Sequence, residues 1–248
     1  MEIPDRARVL VSRDEILVMP FASDALAGIG VLLRGTPFAA AMFLRGHFAC
    51  NAAAVAGPEG AVLLIGRTAT GKSTLAAALM QRGLRLLADD SASIMLDPTG
   101  TAMIAPLWPE LVNLSDAESG LFNDGMPPWL ERHPCAAFDY PYWKVHSDRF
   151  CPTERPLKAA YHLRRDRVVH GIQFTPVVGL EMLARRMIVP YQAAIADAFI
   201  DPGKLLRVYG AVSARCPIID VRVPIRNAGS FAEVADGIMR DCGWPAFI

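Results

Sequence analysis

The sequence predicts an α/β protein, and three observations carry that reading. Apolar segments of strand length alternate with helix-permissive segments along the chain. Apolar residues make up 52% of the 248 residues, enough to build a core. An apolar strand also runs through a glycine-framed loop straight into a helix rich in alanine and leucine, from Ala61 to Arg82.

The elements follow in order. Residues 8–20 alternate as one or two strands. Asp24 to Phe43 is helix-permissive, with a break at Gly35-Thr36-Pro37. Phe48–Val55 and Ala61–Ile65 read as strands joined by a turn at Gly57-Pro58-Glu59-Gly60. Lys72 to Arg82 is the strongest helix, with Gly83 where a C-terminal cap belongs. Arg85–Ala88 and Ala92–Leu96 are short apolar strands. Residues 115–135 carry Gly120, Asn123-Asp124-Gly125 and Pro127-Pro128, and read as a surface loop. Lys158–Leu163 is strand-like. Pro176 to Arg215 has helical patterns broken at Pro190 and Pro202-Gly203. Ile218–Val223 alternates as a strand, and Ser230–Cys242 closes the chain as an amphipathic helix.

Bulk properties exclude several classes. The 25 Lys and Arg balance the 25 Asp and Glu, so a nucleic-acid binder working through bulk charge is not expected. The five cysteines, Cys50, Cys135, Cys151, Cys216 and Cys242, form no C-x-x-C pair, and read as reduced thiols rather than a metal cage or disulfide framework. The start of the chain, MEIPDRARVLVSRDE, is charged where a signal peptide needs an apolar run. Arg34, Arg45, His47, Asn51 and Glu59 interrupt the most apolar regions below the length of a membrane span. The expectation is a cytoplasmic protein with no membrane partner. The dinucleotide G-x-G-x-x-G and the nucleophile elbow G-x-S-x-G are both missing from the sequence.

Gly66-Arg67-Thr68-Ala69-Thr70-Gly71-Lys72-Ser73 satisfies the Walker A pattern G-x-x-x-x-G-K-[ST], with Thr74 next in the helix. In such a loop the backbone N–H groups cradle phosphates and the following helix adds its dipole. Lys72 is placed to reach the β- and γ-phosphates and Ser73 to hold Mg²⁺, which makes ATP or GTP the expected ligand. Asp89 and Asp90 lie only 17 and 18 residues past Lys72, so one helix out and one strand back returns two carboxylates to the phosphates. An acid there can hold Mg²⁺ or take the proton of an attacking hydroxyl.

The loop followed by RGLRLLADD resembles the catalytic domain of the HPr kinase/phosphorylase family, in its short form. The likeness is sharpest over Leu44–Ile94 and continues through PLWPELVNL, Tyr142–Leu163 and the C-terminal strand and helix. It implies one catalytic domain over residues 1–248, with 1–45 as an N-terminal extension packed on it. The implied fold is a P-loop, phosphoenolpyruvate-carboxykinase-like one with a mixed sheet. The implied activity is transfer of phosphate from ATP, with Mg²⁺, to a serine of a peptide or small protein. Some short relatives act on the C-terminal serine of lasso-peptide precursors. Full-length relatives form hexamers, so a homo-oligomer is within what the resemblance implies. Carried over residue by residue, Lys72 is the loop lysine, Ser73 the magnesium-binding serine, Asp90 the catalytic acid and Asp89 its partner toward the metal.

The sequence also departs from the family. Where the family has a histidine, 21 residues before the loop lysine, this chain has Asn51. Asparagine can hydrogen-bond a phosphate but carries neither a proton nor a charge, so the reverse reaction is not expected. His47 lies four residues earlier and is not given the role. The downstream metal-binding acid falls on Leu114, which leaves Glu110, Asp116 and Glu118 as candidates. Ala69 replaces a family glycine, which a negative φ would tolerate.

Other residues carry two readings. The aromatic run Phe138–Trp143 with Lys144 and His146 grips a substrate or forms a buried strand, and Lys144 is taken as a site residue because the family has a basic residue in this region. Either Arg149 or Arg155 is a candidate clamp on the γ-phosphate. The charge run His162–Arg167 reads as a solvated hairpin tip, and Arg185-Arg186 as surface. A small-molecule kinase on the same scaffold and a non-catalytic nucleotide-binding regulator are the alternative functions.

Overall fold

In the computed structural model, the described residues are 1–22, 29–112, 114, 122, 125–133, 142–178, 181, 187–225 and 230–245. Among the predicted features, Asp116, Glu118, Gly120, Asn123, Asp124, Cys135, Phe138–Pro141 and Arg185-Arg186 lie outside them.

A mixed sheet forms the centre. Strands β5 (Ala52–Gly57), β6 (Gly60–Gly66), β7 (Arg85–Ala88), β13 (Arg155–Asp166), β14 (Gln173–Val177) and β15 (Ile218–Pro224) make one part of it. β13 lies between β6 and β15, parallel to both, and the remaining pairings there are antiparallel. The amino-terminal end of β13 bends over to β9 (Ala102–Ala105), which continues the sheet through β8 (Ala92–Leu96) to β4 (Phe48–Cys50).

Strand alternation sorts the core into two layers. On β6, Val62 and Leu64 face helix α3 (Lys72–Gln81), while Leu63 and Ile65 face the opposite layer. Helix α3 is buried along most of its length, and its alanines let it lie close to the sheet. The last helix, α6 (Ser230–Asp241), packs on α3 through Phe231, Val234, Ala235, Ile238 and Met239, an i, i+3, i+4 stripe. Arg82 ties the two helices: its Nε donates to Asp236 at 2.5 Å and its Nη2 to the Ala232 carbonyl at 2.7 Å. The other face is covered by α5 (Pro202–Arg215), whose Val208 and Val212 join that layer; α4 (Ala193–Phe199) precedes it. Asp201 caps α5 by accepting from the Lys204 N–H at 2.9 Å.

Two smaller sheets flank this core. β1 (Glu2–Ile3), β2 (Ala7–Val11) and β3 (Ile16–Pro20) form an antiparallel meander. Helices α1 (Ile29–Leu33) and α2 (Thr36–Arg45) follow, with Pro37 in the first turn of α2, where a missing N–H costs nothing. β12 (Tyr142–Val145) pairs with β10 (Glu110–Val112) on one side and β11 (Leu130–Arg132) on the other.

Many elements stand where the sequence pattern puts them, but no pattern predicts β9 and β10, β11 falls within the stretch read as a surface loop, and three further elements differ. The expected strand Phe48–Val55 divides at Asn51: β4 pairs with β8, whereas β5 pairs with β6 and β7. β13 runs through His162–Asp166, so the charge run is a strand end rather than a hairpin tip. Residues 173–177, partly assigned to a helical pattern, pair with β15 as a strand. The described cysteines, Cys50, Cys151, Cys216 and Cys242, are buried and unlinked. No described helix is long and apolar enough to cross a membrane.

Candidate active site

The glycine-framed loop sits at the carboxyl end of β6, where Gly66 faces Leu163 of the parallel strand β13. This is the end of a parallel pair at which α/β folds bind ligands. Both framing glycines are required by contact. At Gly66 (φ 151°) a Cβ would lie 2.7 Å from the Leu163 carbonyl oxygen, and at Gly71 (φ 96°) it would lie 2.1 Å from the Phe231 ring. Ala69 has φ 62°, left-handed, against the negative φ expected of it, so its methyl group carries about 1–2 kcal/mol of strain. The loop closes on itself, with the Thr70 N–H and hydroxyl both donating to the Arg67 carbonyl, at 3.3 and 2.8 Å.

A cavity of about 330 Å³ opens over this loop, walled by Thr68 to Thr74 together with Asn51, Asp90, Val112, Arg165 and Phe231. Lys72 is largely buried there and its Nζ donates to the carbonyls of Gly66 (3.1 Å) and Arg67 (3.2 Å). Burial pushes the Lys72 ammonium below its ordinary range, against the pull of Asp89 and Asp90. The Asn51 Oδ1 is buried with no hydrogen-bond partner among the described residues. It lies at the switch from β4 to β5, beside Ile65 and Gly66.

The two aspartates form the turn from β7 to β8, closed by the Ser91 N–H on the Asp89 carbonyl at 2.8 Å. Asp90 takes φ 64°, a conformation aspartate tolerates better than most residues. The turn therefore sends the two carboxylates different ways. Asp89 is buried, and accepts from the Ser73 hydroxyl at 3.1 Å and the Val112 N–H at 2.8 Å. Its burial drives the pKa up to about 7, despite those two hydrogen bonds. Asp90 opens to solvent in the cavity while protein crowds around it; that crowding raises its pKa, and the Tyr191 hydroxyl, donating at 3.2 Å, and Lys72 draw it back.

Asp90 also lines a second cavity, of about 320 Å³. Its walls come from Met1–Pro4, the α1–α2 corner, Trp108, Glu110, Tyr142 and Tyr191. Asp90 and Val112 are common to both cavities. A third space of about 310 Å³ lies behind the loop, where His162 Nδ1 sits 2.9 Å from the buried Asp220 carboxylate.

The other sequence candidates divide. Gly66, Arg67, Thr68, Ala69, Thr70, Gly71, Lys72, Ser73, Thr74, Asn51, Asp89 and Asp90 come together. Lys144 does not: it is exposed on β12 and lines neither main cavity, although register puts it opposite Glu110 on the sheet face that carries Val112 and Tyr142. Glu110 is bonded to Arg34 and approached by His133 at 3.9 Å, so its carboxylate is engaged away from the loop. His47 donates or accepts with Ser93 at 3.2 Å and lines neither main cavity. Neither arginine proposed as a clamp reaches the loop cavity. Arg149 caps the Met80 carbonyl and lies over Trp129, while Arg155 donates to Gly57 and Pro58. Besides Arg67 of the loop itself, Arg165 lines the loop cavity, with its guanidinium 5.1 Å over Phe231. Sequence reading passed over it because its strand's partner was unknown; its place at the end of an apolar strand was the available signal. Tyr191 was missed as well, since nothing local links it to Asp90.

These residues fit a nucleotide phosphate with Mg²⁺. The loop from Thr68 to Thr74 lines an open cavity, and a serine and a carboxylate adjoin at its edge. No group of three or more His, Cys, Asp or Glu is placed to hold an ion among the described residues.

No protein-family model matches the chain, and no curated protein does. Among solved structures, the Hpr(Ser) kinase/phosphatase from Coxiella burnetii is similar at 10% identity and a TM-score of 0.40, covering 78% of this chain and 94% of that one. At that score the likeness fixes neither fold nor function.

Proposed function

We propose that this protein is a Mg-ATP-dependent kinase that phosphorylates a serine hydroxyl of a peptide or small protein. The observation that carries the reading is the position of Asp90, which forms part of the wall of both the loop cavity and the cavity beside it. A group so placed stands between a phosphate donor on one side and an acceptor on the other.

The geometry supports these roles. Backbone N–H groups of residues 67–74 and the α3 dipole hold the β- and γ-phosphates. Lys72 turns from its own loop carbonyls to those phosphates, and Arg165 adds a second positive charge at the cavity wall. Ser73 and Asp89 would hold Mg²⁺, which would supply charge neutralisation on the phosphates when bound. Asp90 accepts the serine proton as the new Oγ–P bond forms and the β–γ bridge breaks, leaving ADP. Positioning and charge neutralisation supply most of the acceleration.

The C-terminal serine of a lasso-type precursor is the form of acceptor the sequence resemblance suggests. A small-molecule acceptor is the second reading, favoured by a cavity of only about 320 Å³. Intact-mass spectrometry of serine peptides incubated with Mg-ATP tests the proposal. Wild type should add one phosphate, and Asp90→Asn should be slower by about a hundredfold or more. Equal modification by both proteins would remove Asp90 from the mechanism. Bound ATP with no transfer to any peptide would favour the small-molecule reading or a regulator.

A further inference from the structure

The cavity beside Asp90 has a chemical character of its own, and we propose that it selects a serine flanked by apolar residues with no carboxylate nearby. The inference takes the identity of the acceptor group from the kinase reading, but its binding test needs no phosphate to move.

The cavity is assembled from parts remote in sequence: the Met1–Pro4 segment, the α1–α2 corner and the β10–β12 pair. Its apolar surface comes from Val31, Leu32, Pro37, Trp108 and Tyr142. Trp108 is a fixed wall. Phe38 meets it edge-on with ring centroids 4.5 Å apart, and the Arg34 guanidinium lies 5.4 Å above it. Held in this way, Trp108 offers a flat apolar surface at little ordering cost. At about 320 Å³ the space is at the small end of ligand pockets, which run from roughly 300 to 1,000 Å³. It admits a serine with one or two bulky neighbours, not a folded surface.

The charges point the same way. Glu2, Asp89, Asp90 and Glu110 line the cavity, with Glu2 3.7 Å from the Arg8 guanidinium. Arg34 is already bonded to Glu110. The Met1 amine in the wall donates to the Val9 carbonyl at 2.9 Å. Lys144 is exposed on β12 and does not line the cavity. A second carboxylate brought in beside the acceptor hydroxyl therefore meets the Asp90 carboxylate at close range, and binding is weakened. A serine bearing its own free α-carboxylate is the disfavoured acceptor, in contrast to the C-terminal serine that the sequence resemblance suggests, and an internal or amidated serine is the favoured one.

Three labelled pentapeptides decide the matter: a blocked one with serine between leucines, the same with glutamates for leucines, and one ending in serine with a free carboxylate. Their dissociation constants are measured by fluorescence anisotropy with Mg²⁺ and a non-hydrolysable ATP analogue. The leucine-flanked peptide should bind at least about tenfold tighter than the other two. Trp108→Ala should remove most of that advantage and Trp108→Phe should retain part of it, with Tyr142→Ala as a second wall variant should Trp108→Ala not fold. Equal binding of the three, tighter binding of an acidic one, or no saturable binding of the leucine peptide would overturn the proposal. The expected order of affinities with no phosphate transferred would leave this inference standing and sink the kinase reading. Transfer without any flank preference would do the reverse.

Discussion

The two cavities that meet at Asp90 are built in opposite ways. The loop cavity is mostly one continuous stretch, Thr68 to Thr74, and its chemistry is backbone. The neighbouring cavity is side chains from the chain start, the α1–α2 corner, β10, β12 and Tyr191. Phosphate is the same in every nucleotide, so a local backbone cradle serves it. An acceptor varies, and a wall made of scattered side chains can vary with it without disturbing the cradle.

The sharpest way to break the loop side alone is Gly71→Ala. The added methyl group would overlap the Phe231 ring at a φ of 96°. Nucleotide binding, measured by calorimetry, should be lost and stability should fall by about 1–3 kcal/mol, from strain and overpacking. An unchanged affinity would mean that Phe231 can move away freely.

Asp89→Asn acts on the same side with a pH signature. The Asp89 pKa in the fold, about 7, lies above its ordinary 3.8. The folded state thus binds more protons than the unfolded one between these values, and the group's stabilising contribution falls as pH rises through that window. The amide of the variant is neutral throughout, so without metal the variant should melt higher than wild type at pH 8 and no higher at pH 4. Added Mg-ADP should raise the melting temperature of wild type much more than that of the variant. Equal Mg-ADP stabilisation would take the metal away from Asp89.

Tyr191→Phe probes the acceptor side. The Tyr191 hydroxyl stabilises the Asp90 carboxylate and lowers its pKa. Its removal should raise that pKa and shift the acid limb of the pH–rate profile toward alkaline pH, with a few-fold loss of rate below the limb. Nucleotide affinity should not change.

The smallest effect is expected at Ala69, which sits at φ 62°. Ala69→Gly should stabilise the protein by up to about 1 kcal/mol in chemical denaturation, since glycine takes this conformation without strain.

How much was legible follows the same division. The loop, α3 and the two aspartates are consecutive in the sequence, so motif and spacing were enough to assemble them. The left-handed φ of Ala69 was not legible, because it is set by closure of the loop on Arg67 and Thr70. Arg165 was read as solvated because its place depends on β13 lying parallel between β6 and β15, a pairing no local pattern encodes. Tyr191 reaches Asp90 through a segment laid against β4, with its N–H on the Ala49 carbonyl at 2.9 Å. Such contacts between distant parts of the chain leave no periodic trace.

The central claim is that Asp90 serves transfer and not nucleotide binding. The direct test is to measure, on Asp90→Asn, both ATP affinity and the single-turnover rate of serine phosphorylation. If Asp90 acts in transfer alone, the affinity stays within about threefold of wild type and the rate falls by about a hundredfold or more. Parallel losses in affinity and rate would place Asp90 in the phosphate site instead and contradict it.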